Sequence, residues 1–182
     1  TFEEVLGPLQ QIIDDDRARR EALAQQQQKL KEDEGLSGVT VGDFSFQGVT
    51  CVSDPVQYAL CSIKGKALFT VKCMAKAAVV RLGLTERVIE ETALLTTVME
   101  PHRMVPLLLT THQDDDFLYT VIKSRVSVDL ATLLGDAPFE DAASQFYTAS
   151  MAIAIAHLHK QDLIFRNLTT DSVHVDDKGY VQ

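Results

Sequence analysis

The sequence lacks any apolar run approaching the roughly 18 to 20 residues that a membrane span requires, and its opening, TFEEVLGPLQ, has no basic stretch leading into an apolar one. These absences argue against a membrane association and a secretory leader, and point to the cytoplasm. Basic charge is also short. With 17 Lys and Arg against 26 Asp and Glu, the net charge of -9 opposes a phosphate backbone at long range and sets nucleic acid aside as a partner. Cysteine is scarce: Cys51, Cys61 and Cys73 form no CxxC pair and sit in apolar or β-type runs, which disfavours both a disulfide framework and a zinc site and suits small buried hydrophobes. What is present is 182 residues, 46% of them hydrophobic, enough for one sizeable core with an extra helical segment.

Val5, Leu6, Leu9, Ile12 and Ile13 recur at helical spacing, and Pro8 suits a first helical turn, where a missing N–H costs nothing. The polar run that follows offers Asp15 to Arg19 and Asp16 to Arg20 as i,i+4 pairs, so one helix is expected from about 3 to 33, ended by Gly35. Its apolar face fades beyond Leu23 and Leu30, so the first half should dock and the second should project; the spacing is too irregular to favour a coiled coil.

From Phe44 the period becomes two, through Phe44 and Phe46, then Val56, Tyr58 and Leu60, then Leu68, Thr70 and Lys72, with KGK at 64 to 66 as a hairpin turn. A helix is expected at about 85 to 99, with Val88, Thr92, Leu95 and Met99 on one stripe and Glu91 turned inward beside them, where a carboxylate needs a partner. A strand FLYTVI at 117 to 122, a short helix near 128 to 134 and a long one at 140 to 159, striped by Phe146, Ala149, Ile153 and Ala156, follow. Leu163 to Phe165 read as a strand entering the polar loop Arg166, Asn167, Leu168, and Val173 to Val175 as a strand leaving it for a turn at 177 to 179. The chemistry-bearing residues are Lys72, Glu91 and this loop.

LFTVKCMAK, a glutamate nineteen residues beyond Lys72, and FEDAASQFYTASMAIAIAHLHKQDLIFRN together resemble the protein-kinase fold, nearest to the cyclic-nucleotide-dependent branch of the AGC serine/threonine kinases. The resemblance covers about 44 to 182. It implies an α+β fold: an antiparallel N-lobe sheet with one helix, then the beginning of a helical C-lobe, after a long N-terminal helix. It also implies a kinase-like N-lobe and hinge over 43–124 and the start of a C-lobe over 125–182, with an Asp-Phe-Gly motif placed beyond Gln182. Lys72 would grip nucleotide phosphates, Glu91 would hold Lys72, and Gly48, Val56, Thr70, Thr120 and Asp129 would surround ATP; no metal ligand is assigned within the chain.

The departures from the family decide the functional expectation. In GVTCVSDPV, Thr50 and Ser53 replace two of the family's phosphate-loop glycines, and Asp54 adds a repelling carboxylate. In the catalytic loop the family's Arg-Asp-Leu-Lys-Pro-Glu-Asn reads Arg166, Asn167, Leu168, Thr169, Thr170, Asp171, Ser172. Asn167 cannot take up a proton at neutral pH, and general-base catalysis is worth roughly 100- to 10,000-fold, or about 2.7 to 5.5 kcal/mol. Thr169 removes a cation, and Ser172 is a poorer magnesium ligand than an asparagine.

EEVLGPLQQII resembles the closing helix of a cyclic-nucleotide-binding domain, so residues 1–36 read as that helix and a linker, with any cyclic nucleotide held upstream. Such an order is that of cGMP-dependent protein kinases, and of plant and algal proteins joining a type 2C phosphatase, cyclic-nucleotide-binding domains and a kinase domain. The leading expectation is a regulatory or scaffolding pseudokinase whose partners are proteins or other domains of its own chain. The alternatives are a weakly active kinase using Lys72, Glu91, ATP and magnesium, and a helical dimerisation module carried by 3 to 33. HQDDD at 112 to 116 reads as a hairpin tip rather than a metal cluster, and His157 and His159 as packing or capping groups.

Overall fold

The computed structural model describes residues 2–65, 68–97, 102–123, 126–135 and 137–182, without the side chains of 2–10, 12, 13, 53 and 97. The chain divides into two compact units, Thr1–Ser37 and Gly38–Gln182.

The first unit is helix α1, Phe2–Asp33. Pro8 lies inside it rather than in its first turn, because the helix starts earlier than the proline signal suggests. Of the two expected ion pairs, Asp16 and Arg20 meet at 2.7 Å; Asp15 and Arg19 do not pair, and Arg17 instead reaches Asp14 at 3.9 Å. Exposed pairs of this kind contribute only about 0.3–0.5 kcal/mol each. Gly35, at φ 63°, terminates the helix: its N–H donates to Glu32 and the Leu36 N–H reaches back to Lys31, closing the last turn's open carbonyls. The apolar positions expected to dock, Val5 to Ile13, fall where side chains are not described.

The second unit begins with a single 3₁₀ turn, Val41–Asp43, fixed by the Asp43 carboxylate accepting from the Thr40 N–H at 2.8 Å. Five strands then form an antiparallel sheet: β1 Phe44–Ser53, β2 Val56–Ile63, β3 Leu68–Ala75, β4 Leu108–Gln113 and β5 Phe117–Ile122, in the order β1-β2-β3-β5-β4. Irregularities between Phe46 and Gly48 and between Val49 and Cys51 shift the β1–β2 register. Such bulges bend and twist a strand. The β2–β3 turn places Lys64 at φ 52° and Gly65 at φ 69°, the left-handed pair a tight hairpin needs; Lys66 lies outside the described residues. Ile63, at the end of β2, and Val71 and Val121, paired across β3 and β5, are fully buried.

Among the described residues two helices, not one, are inserted between β3 and β4: α2, Lys76–Arg81, and α3, Thr85–Thr97; Met99, expected on the stripe of the second, lies outside the described residues. Six residues are too few to show a helical period, which is why α2 is invisible in the sequence pattern. Of HQDDD, His112 and Gln113 end β4 and Asp114 to Asp116 form the β4–β5 turn, which the Asp114 carboxylate organises by accepting from the N–H groups of Asp116 and Phe117 and from the Tyr119 hydroxyl.

Beyond β5 lie β6 Val126–Asp129, α4 Leu130–Leu134, α5 Asp141–His159 and β7 His174–Asp176, with β6 and β7 paired as a small second sheet. Leu130, Val173, Val175 and Val181 form its core, with Phe139, Tyr147 and Met151 packed against them. The apolar stripe on α5, a face expected to lack partners within this chain, is open: Phe146 is 42% and Ile153 51% exposed, while Ser150 and Ala154 are buried. The helix is apolar nearly all round, so periodicity could not choose its inner face. Leu163 to Phe165 form no strand. The architecture is α+β, a kinase-like N-lobe sheet with helices and the start of a C-lobe, preceded by a long helix.

Candidate functional site

Lys72 stands in the middle of β3, opposite Tyr58 of β2 on one side and Thr120 of β5 on the other. Its side chain is buried, and a buried ammonium needs a counter-charge. Glu91 of α3 supplies it, with Oε1 2.5 Å from Lys72 Nζ. Contrary to the inward orientation expected from the helical stripe, the Glu91 side chain is 49% exposed. It reaches Lys72 from the rim. A half-exposed pair adds little stability, about 1 kcal/mol or less, so its role is to fix where the ammonium points.

Of the residues singled out in the sequence, Val56, Lys72, Glu91, Thr120 and Asn167 line one cavity of about 800 Å³. Gly48 does not join them; it borders a separate hollow of about 340 Å³ beside Phe46 and Tyr119. A Cβ built on Gly48 would meet nothing within 4 Å, so the fold itself does not require glycine there.

Thr70 and Asp129 line neither space, and both are committed elsewhere. Thr70 is fully buried and its hydroxyl accepts from the Val126 N–H at 2.9 Å. Asp129 caps α4: Oδ1 accepts from the Thr132 N–H at 2.7 Å, and Oδ2 accepts from the Thr132 hydroxyl at 2.8 Å and from the Cys51 thiol at 3.0 Å. Burial alone would raise the Asp129 pKa, but these bonds together hold it below the ordinary carboxylate value. Burial, then the bond to Asp129, pushes the Cys51 thiol up to about 11, so it stays a protonated donor. Cys51 therefore does more than fill space, the role assigned to it in the sequence.

The loop around Asn167 is built by backbone strain and one hydroxyl. Arg166 adopts φ 64°, and its guanidinium meets Glu90 of α3 at 3.1 Å, both side chains exposed. Ser172 Oγ accepts from the Thr169 N–H at 3.0 Å, and its single proton is shared between the carbonyls of Asn167 at 3.0 Å and Thr169 at 2.8 Å. That hydroxyl is spent on stitching the loop. The exposed Asn167 side chain has no hydrogen-bond partner among the described residues.

No family model matches the chain. It is 26% identical over 126 residues to the cAMP-dependent protein kinase catalytic subunit of Dictyostelium discoideum, a stretch covering 69% of this chain and 19% of that protein. Against cGMP-dependent protein kinase, isozyme 1, of Drosophila melanogaster the identity is 27% over 116 residues, 63% of this chain and 15% of the relative. Against protein kinase C delta type of Mus musculus it is 28% over 151 residues, 82% of this chain and 22% of the relative. The likeness is to protein kinases. With the sheet and the Lys72–Glu91 pair, it supports a protein-kinase-like domain, although the chain spans only about a fifth of the length of these relatives.

Magnesium-bound ATP is the group this likeness implies. Lys72 fits a phosphate, but the rest of the set does not fit: Asp129 is buried and its carboxylate already accepts from Cys51 and Thr132, Ser172 is consumed by its own loop, and Asn167 offers no carboxylate. Two side chains that the sequence reading left as ordinary positions, Tyr58 and His174, also line the cavity of Lys72. The signal that could have found them is period-two spacing: Tyr58 follows Val56 on the same face of β2.

Proposed function

We propose that this chain is a kinase-like regulatory segment whose phosphoryl-transfer chemistry has been removed, a pseudokinase acting on protein partners or neighbouring domains. The observation that carries the reading is the 166–172 loop, where an amide replaces the proton acceptor and Ser172 is tied to the Asn167 and Thr169 carbonyls. Phosphoryl transfer depends on positioning and charge neutralisation, and a loop with an amide at Asn167, Thr169 in place of a cation and the Ser172 hydroxyl tied to its own carbonyls offers little of either at the transferred group. The likeness to cyclic-nucleotide-dependent kinases and the preceding helix α1 support placement in a cyclic-nucleotide-linked signalling protein.

A weakly active kinase is the second reading, favoured by the retained Lys72–Glu91 pair. One assay separates them: phosphoryl transfer by the full-length protein, its Asn167→Asp variant and its Lys72→Ala variant. The pseudokinase reading expects no turnover above background in the wild type. Robust turnover that Lys72→Ala abolishes and Asn167→Asp does not raise would establish the alternative.

A further inference from the structure

Three side-chain contacts tie the five-stranded sheet to the segment around β6, α4 and β7. From β2, the Tyr58 ring lies on the His174 ring of β7, centroids 4.4 Å apart and planes tilted by 59°. From β1, the Cys51 thiol donates to Asp129; from β3, the Thr70 hydroxyl accepts from Val126. Tyr58 is also the ladder partner of Lys72, so the ring pair stands directly beside the buried ammonium.

A flat ligand held between two walls needs van der Waals contact on both faces, roughly 7 Å from wall to wall. Tyr58 and His174 are already in contact with each other and leave no such gap. We propose that the Tyr58 and His174 rings, closed on each other beside Lys72, leave the cavity of about 800 Å³ without a gap between β2 and β7 in which a purine could be sandwiched, so that it takes up no purine nucleotide while the pair is closed. Both rings are suited to a dry contact. Burial raises the Tyr58 pKa and keeps the phenol neutral, and burial lowers the His174 pKa, with Lys72 adding to the effect and Asp129 opposing it. The Cys51–Asp129 and Thr70–Val126 bonds hold the flanking strands in place, so opening the gap requires more than one side-chain rotation.

This inference rests on reading the Lys72 cleft as nucleotide-like and deepens the proposed function by saying why ATP is refused. The test is equilibrium binding of MgADP and of metal-free adenosine to the intact protein, followed with a fluorescent ADP derivative. Wild type and Tyr58→Phe, which keeps the ring, are expected to bind too weakly to saturate. Tyr58→Ala, which opens the gap, is expected to bind roughly tenfold tighter or more, because the closed pair no longer taxes the competent state. If Tyr58→Ala does not fold by circular dichroism, His174→Ala is read in the same way. Saturable tight binding by the wild type overturns the proposal, as does a folded Tyr58→Ala variant with unaltered affinity. A wild-type chain that binds ADP but transfers no phosphate refutes the occlusion alone and leaves the proposed function standing.

Discussion

Asn167 and an aspartate differ by one NH₂ in place of an oxygen, yet the exchange removes a proton acceptor worth roughly 100- to 10,000-fold in rate. His174 is the more informative residue for solution behaviour. Burial lowers its pKa from the usual histidine value near 6.5, so the folded state binds a proton less readily than the unfolded chain. Above pH 6.5 both states are neutral at this residue and it costs nothing. As pH falls through 6.5 toward the folded value, only the unfolded chain gains the proton, and stability declines. Urea midpoints at pH 7.5, 6.5 and 5.5 are expected to fall steadily in the wild type and more gently in His174→Leu. A residual slope is expected from His102, whose pKa is lowered by burial and by His157. A midpoint that rises on acidification would contradict the assignment.

At the scale of elements, Asp129 shows how one carboxylate can be claimed by the fold. Asp129→Ala removes the cap of α4 and the partner of Cys51, and is expected to cost about 1 kcal/mol, lowering the melting temperature by roughly 2–4 °C in a chain of this size. Asp129→Asn keeps an acceptor and is expected to lose less; a circular-dichroism melt compares them. The same residue marks where sequence legibility ends. Strands with clear alternation, such as β2, and elements bounded by strong signals, such as the Gly35 terminus of α1 and the Asp114 turn, can be read directly because their causes are local. The inner face of α5, the existence of α2 and the half-exposure of Glu91 cannot, because each depends on what lies opposite in space. At the site, the pairing of Lys72 with Glu91 was legible through the resemblance to protein kinases, whereas the Tyr58–His174 contact joins residues far apart in the chain and leaves no local mark.

For the folded unit as a whole, the contacts that matter most are those between its two sheets. Thr70 is fully buried and accepts the Val126 N–H. Thr70→Ala would leave that N–H without its acceptor, at an expected cost of about 1–3 kcal/mol, measurable as a lower urea midpoint and faster hydrogen exchange at the Val126 amide. Unchanged exchange there would show that the hydroxyl does not tie β3 to β6. The ring pair has a practical corollary too. The chain contains no tryptophan, four tyrosines and eight phenylalanines, so tyrosine supplies the long-wavelength part of its near-ultraviolet signal. Tyr119 already donates its hydroxyl to a carboxylate, and Tyr58 is pressed against an imidazole. The protein thus carries an intrinsic, label-free optical gauge of whether its own cleft is open or shut.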